Sequence, residues 1–121
     1  MGGEPWLVRK PFLGGPEHVL KRHRDEILEQ TPDWPEIRIG DGTPRMMPGW
    51  PMPTNACTLV PFDEEQLVEM FGTDKPQETL GEDDIYEQEF WGGIPRGEGF
   101  YFLLYREDIP VEVCFLGYSF D

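Results

Sequence analysis

The stretch that decides the fold reads Phe-Tyr-Phe-Leu-Leu-Tyr over residues 100–105, Arg-Glu-Asp-Ile-Pro over 106–110, and Val-Glu-Val-Cys-Phe-Leu-Gly-Tyr over 111–118. Two runs of β-branched and aromatic residues joined by a short, mostly polar connection read as a β-hairpin. The first run has no strongly polar position, so neither of its faces can be left to water without exposing a large apolar patch. It is expected at the centre of a small sheet, with helices packed against it.

Two helices stand upstream. Gly-Pro at 15–16 opens the first, because proline suits the first helical turn and Glu17 complements the positive end of the helix dipole. It should run from Pro16 to Gln30 and stop before Pro32. Val19, Leu20, His23, Ile27 and Leu28 form its apolar stripe, and Glu17–Lys21 and Arg22–Glu26 are expected as outer pairs. The second helix carries unusually complete start signals. Asp63 is the N-cap, Gln66 follows at the capping-box position, and Phe62 and Leu67 occupy the two positions of a hydrophobic staple. Gly72 supplies the stop, and Leu67, Met70 and Phe71 face inward.

Between and around these lies a chain rich in breakers, with thirteen Pro and fourteen Gly. Residues 1–15 read as an extended N-terminal arm, with Trp6, Leu7, Phe12 and Leu13 tucked against the body. Residues 31–56 read as a Pro-rich loop section in which only Glu36–Ile39 is extended. Its run Met-Met-Pro-Gly-Trp-Pro-Met-Pro over 46–53 is either an ordered loop packed on the core or an adaptable contact surface. Cys57–Pro61 is a short strand, residues 73–84 an acidic loop, and Ile85–Trp91 a strand. The expected architecture is a single α+β domain over residues 1–121. It is a small antiparallel β-sheet with a C-terminal hairpin, packed with two short helices and joined by many Pro/Gly-rich loops.

Composition narrows the function. The chain has 121 residues and a formal net charge of −14, with 13% aromatic residues. That aromatic content argues for a packed core, since acidic disordered chains are aromatic-poor. The charge is not spread evenly. The segment 63–90 holds eleven acids against Lys75 alone, residues 1–62 are close to neutral with eight acids and seven bases, and residues 91–121 carry five acids and two bases. Adaptation to salt would distribute acid over the whole surface, so bunching favours a site. Self-repulsion of this size opposes the compact state and needs a compensating reason.

Catalytic and ligand signatures are missing. His18 and His23 lie five apart and do not share a helix face. Gly81-Glu82-Asp83-Asp84 lacks the alternating oxygens of a calcium loop. Ser119 is the only serine, and no nucleophile motif surrounds it. Cys57 and Cys114 read as buried free thiols. No enzyme activity, cofactor or metal is expected, and a net negative chain is a poor ligand for nucleic acid. Residues 1–12 lack the apolar core of a signal peptide, and no run approaches a membrane span, so a cytoplasmic protein is expected.

What remains is recognition of another protein. Acids interleaved with aromatics combine long-range steering with anchors. The expected interface comprises Glu78, Glu82, Asp83, Asp84, Tyr86, Glu87, Glu89 and Trp91. The reading is a non-catalytic inhibitor or immunity-type protein, phage or bacterial in type. It would mimic nucleic acid by offering carboxylates to a basic protein surface. The alternative is a structural subunit of a virion or multiprotein complex. A monomer or small closed oligomer is expected at low salt.

Overall fold

The computed structural model describes residues 4–120. Its elements in chain order are β1 (Pro5–Pro11), α1 (Pro16–Glu29), β2 (Arg38–Ile39), β3 (Thr58–Pro61), α2 (Glu64–Phe71) and α3 (Glu82–Tyr86). A 3₁₀ turn (Glu89–Gly93) follows, then β4 (Gly99–Arg106) and β5 (Ile109–Tyr118). One five-stranded sheet has the order β1-β5-β4-β3-β2. The fold is α+β, as expected.

The hairpin lies where the sequence puts it. β4 is the central strand, antiparallel to β5 with Phe102 opposite Cys114. Alternate residues feed two cores. Val113 and Phe115 point to one face, with Val19, Leu20 and Ile27 of α1, Trp6 and Trp34. Phe102, Leu104, Cys114 and Leu116 point to the other, with Phe62, Leu67 of α2, Ile85 of α3 and Trp91. The two helices read from sequence thus cover opposite faces of the hairpin. At its open end Gly99 pairs with Gly117. A Cβ on Gly99 would stand 2.6 Å from the Leu116 carbonyl oxygen, and one on Gly117 would stand 2.5 Å from that of Glu98. Only glycine allows that close approach.

The start signals of α2 are all used. Asp63 accepts from the Gln66 N–H at 2.8 Å, and Gln66 accepts from the Asp63 N–H at 3.0 Å. Gly72 closes the helix at φ 77°, in the left-handed region.

Four expectations are corrected. The sheet is mixed, not purely antiparallel, because β3 runs parallel to both β2 and β4. The chain leaves β3, forms α2 and α3, and returns as β4, a crossover long enough to bring the next strand in parallel. Second, the arm is a strand from Pro5 to Pro11, paired along β5; residues 1–3 of the expected arm lie outside the described residues. Its prolines mislead because they sit on an edge. The Ser119 N–H donates to Glu4 O and the Phe12 N–H to Val111 O, so even-numbered residues face β5. Pro5 and Pro11 fall on the open side, where a missing donor costs no ladder bond.

Third, Ile85–Trp91 is not a strand. It belongs to α3 and the 3₁₀ turn, and residues 82–84 of the expected loop are helical too. Asp84 starts α3 by accepting from the Gly81 N–H at 3.1 Å. Fourth, the outer pairs of α1 do not form among the described residues. Glu26 binds Lys10 of β1 instead. His23 is half-buried, 3.6 Å from Glu26, at a kink with φ −113° and ψ 18°.

Candidate functional site

The acidic segment coats one face of the sheet. Leu67 of α2 and Ile85 of α3 anchor both helices in the same core, so their polar sides turn outward together. Three of the eleven acids have structural duties. Asp63 and Asp84 cap helices, and Glu78 takes a two-pronged contact from Arg106, with N···O distances of 2.9 and 3.1 Å. The other eight are Glu64, Glu65, Glu69, Asp74, Glu82, Asp83, Glu87 and Glu89. Among the described residues none of these has an ion-pair partner. Lys75, the one base in the segment, turns instead to Asp108, 3.3 Å away. Arg9 reaches across from β1 to bind the Glu78 carbonyl at 2.8 Å, the Leu80 carbonyl, and the Glu112 carboxylate at 2.6 Å. It ties the edge strand to the loop that leads into α3.

Beneath the carboxylates lies a continuous aromatic layer. Tyr86 stacks on Trp91 at 5.2 Å, Trp91 on Phe90 at 5.1 Å, and Phe90 meets Phe62 edge-on at 5.3 Å. Phe62 stacks on Phe100 at 4.7 Å and lies 6.0 Å from Phe102, which contacts Phe71. Trp91 is only 7% exposed, and its indole N–H donates to the Ile85 carbonyl at 2.9 Å. Its ring is not presented at the surface; it supports Tyr86, which is 40% exposed. Burial, then the Glu82 carboxylate, push the Tyr86 phenol above its ordinary pKa. Of the predicted interface residues, the structure gathers Glu82, Asp83, Tyr86, Glu87 and Glu89 on one exposed patch. Glu78 and Asp84 border it, engaged as described.

A second feature lies in the Pro-rich loop. Met47 is buried, whereas Met46 is 61% and Met52 70% exposed. In the run at 46–53 one methionine thus packs down and two face out. Trp50 and Phe120, with ring centres 5.7 Å apart, help line a cavity of about 750 Å³ with Asp33, Glu36, Arg45 and Met47. Arg45 is paired with Glu36, and Asp33 accepts the Phe120 N–H. No signal in the sequence brings Phe120 to this loop.

Cys57 and Cys114 are free and buried, one in each core. Burial raises both thiols, Cys57 to about 11 and Cys114 further. Among the described residues no group of three or more His, Cys, Asp or Glu side chains is placed to hold a metal ion. Among them, too, no helix is long and apolar enough to cross a membrane. No family model matches the chain, and no curated protein or solved structure matches it either.

Proposed function

We propose that this protein is a non-catalytic binding module that covers a basic surface on another protein, in the manner of an inhibitor or immunity protein. The observation that carries the reading is the set of eight unpaired carboxylates on one coat, with Tyr86 exposed among them. Glu64, Glu65, Glu82 and Asp83 favour the N-termini of their helices, but the summed charge repels itself, and it steers a cationic partner and raises the on-rate. Tyr86, held from below by Trp91, supplies a rigid aromatic anchor. A basic protein that handles nucleic acid would meet carboxylates where it otherwise meets phosphates.

The test is a pull-down at low ionic strength with the native protein and with the triple variant Glu82→Lys, Asp83→Lys, Glu87→Lys. These positions carry no cap, so the fold should be kept. The native protein should recover a basic partner whose binding weakens steeply with salt, and the variant should recover none. Salt-independent capture, or equal capture by the variant, would sink the reading.

A second reading, a subunit of a virion or other assembly, draws on the exposed Met46, Trp50 and Met52 around the loop cavity. Its other motive, a free arm, is weakened because residues 5–11 are paired within the protein's own sheet. Recovery of assembly subunits, lost on Trp50→Ala, would favour it.

A further inference from the structure

The sheet lacks one rung. On the β3 side of β4, Tyr101 O accepts from the Phe62 N–H at 3.1 Å. Four residues on, the Tyr105 N–H donates to Pro76 O at 2.8 Å, and Tyr105 O accepts from the Glu78 N–H at 2.8 Å. Residues 76–78 therefore resume, in parallel, the line that β3 abandons, with Gln77 opposite Tyr105. The excursion through α2 removes the partner that Leu103 would have had.

Leu103 cannot turn elsewhere. Even-numbered residues of β4 bond to β5, as Glu98 O does with the Tyr118 N–H just before the strand, so odd-numbered ones face β3. The Leu103 N–H and C=O thus point into the gap, and neither has a backbone partner there among the described residues. A peptide group in the middle of a sheet is a strong donor and acceptor held ready. The gap is a cavity of about 280 Å³ between Tyr101 and Tyr105, with Phe62, Glu64, Asp74 and Lys75 in its walls. That is below the roughly 300–1,000 Å³ that encloses a drug-sized molecule, but it suits one residue of extended chain. Phe62 and Pro76 close both ends, so a through-running strand cannot add here.

We propose that the gap at Leu103 receives the apex of a basic loop of the partner protein. One main-chain carbonyl and one N–H of that loop complete the rung, and an Arg or Lys side chain lies against Glu64 and Asp74. This rests on the basic-partner reading above and names the part of the partner that is read. Charge complementarity selects the occupant. Lys75 is drawn to Asp108, which leaves Glu64 and Asp74 without counter-ions among the described residues. A shallow trough continues from these two residues over Glu65, Val68 and Glu69. The main-chain rung adds geometric selection that a carboxylate surface alone lacks, because it demands an extended residue within reach of the acids.

Amide hydrogen exchange on the full chain tests this, with acetyl-Gly-Arg-Gly-amide and acetyl-Gly-Glu-Gly-amide as probes. In the free protein the Leu103 amide should exchange far faster than those of Phe102 and Leu104, which are bonded to β5. With the Arg peptide at about ten times its Kd, Leu103 exchange should slow about ten-fold, and the Glu peptide should do nothing. Glu64→Gln with Asp74→Asn removes the charge that selects the basic side chain and leaves the Leu103 amide in place, so it should abolish the Leu103 response to the Arg peptide while Phe102 and Leu104 stay protected. If that variant does not fold, the wild-type exchange still decides. A Leu103 amide already as protected as its neighbours overturns the proposal. So does an Arg-peptide response confined to Glu82, Asp83 and Glu87, an outcome that leaves the acidic-face reading standing. An equal Leu103 response to both peptides overturns the assignment of a basic partner. No response anywhere overturns the slot, and the wider reading is then judged by its own pull-down.

Discussion

The two faces of the sheet are built from different materials. Under α1 the core is chiefly aliphatic, with Val19, Leu20, Ile27, Leu59 and Val113 around separate ring contacts, Trp6–Trp34, Trp34–Phe120 and Tyr101–Phe115. The helix above it is nearly neutral, its four acids set against three bases. Under α2 and α3 the aliphatic Leu67, Ile85, Ile94, Leu104 and Leu116 are joined by a continuous layer of rings, and the coat is almost wholly acid. The difference teaches where a repulsive surface can be tolerated. Like charges at Glu65 and Glu69, and at Asp83 and Glu87, sit one helical turn apart, each pair costing a few tenths of a kcal/mol. Aromatic contacts below, worth about 0.5–1.5 kcal/mol each beyond their burial, offset that cost. Stability on this face resides in the rings and recognition in the carboxylates, and the two are separable by mutation.

The largest expected effect tests the ring layer. Phe102→Ala removes a buried ring in contact with Phe62 and Phe71, and should cost about 3–5 kcal/mol in chemical denaturation. Ile27→Ala, in the aliphatic core, should cost about 1 kcal/mol less, because it leaves a cavity but breaks no ring contact. Equal losses would mean that the aromatic layer gives no special compensation to the acidic side.

Next comes the strap between edge and coat. Arg9→Ala deletes three hydrogen bonds from a mostly buried guanidinium and should cost about 1.5–3 kcal/mol. The loop 76–81 should then be cut faster by protease, since its carbonyls lose their donor. Unchanged proteolysis would show that this loop is held instead by its main-chain bonds to Tyr105 and by the Gln77–Glu107 and Glu78–Arg106 contacts. Smaller still is the cap of α2. Asp63→Ala should lower stability by about 1 kcal/mol despite relieving charge, because it orphans the Gln66 N–H. A gain on removing this one acid would mean that repulsion outweighs capping throughout the coat.

These features differ in how far the sequence exposes them. The hairpin and α2 were legible because their signals are local and mutually consistent: two apolar, β-branched and aromatic runs around a short polar connection in one, cap, staple and stop in the other. β1 was not. Whether a proline breaks a strand depends on which side its nitrogen faces, and that is set by a partner strand more than a hundred residues away. Residues 85–91 misled because their loose alternation of acid and ring suits a strand, whereas in the fold the rings stack along one side of a helix and a turn. The concentration of acid was readable from composition. The burial of Trp91 was not, nor was the missing rung at Leu103, which arises only where β3 stops and residues 76–78 take over.

The smallest effect reads the comparison from inside, because each core holds one thiol. Cys57 lies under the neutral coat and Cys114 under the acidic one, and burial raises both, so alkylation requires the covering layer to open. Salt weakens repulsion in the coat once the Debye length falls to about 10 Å or less, above roughly 0.1 M. Screening the like-charge pairs of α2 and α3 should therefore slow alkylation of Cys114 about two- to five-fold between low and moderate salt. Cys57 should change less, since α1 carries little net charge. Mass spectrometry of the two cysteine peptides, corrected by rates in the unfolded chain, measures both in one sample. If salt slows both thiols equally, the protein opens only as a whole and its two faces are not independent. If Cys114 is not slowed at all, the acidic coat imposes no strain on the free protein, and the case that its charge awaits a cation loses its energetic basis.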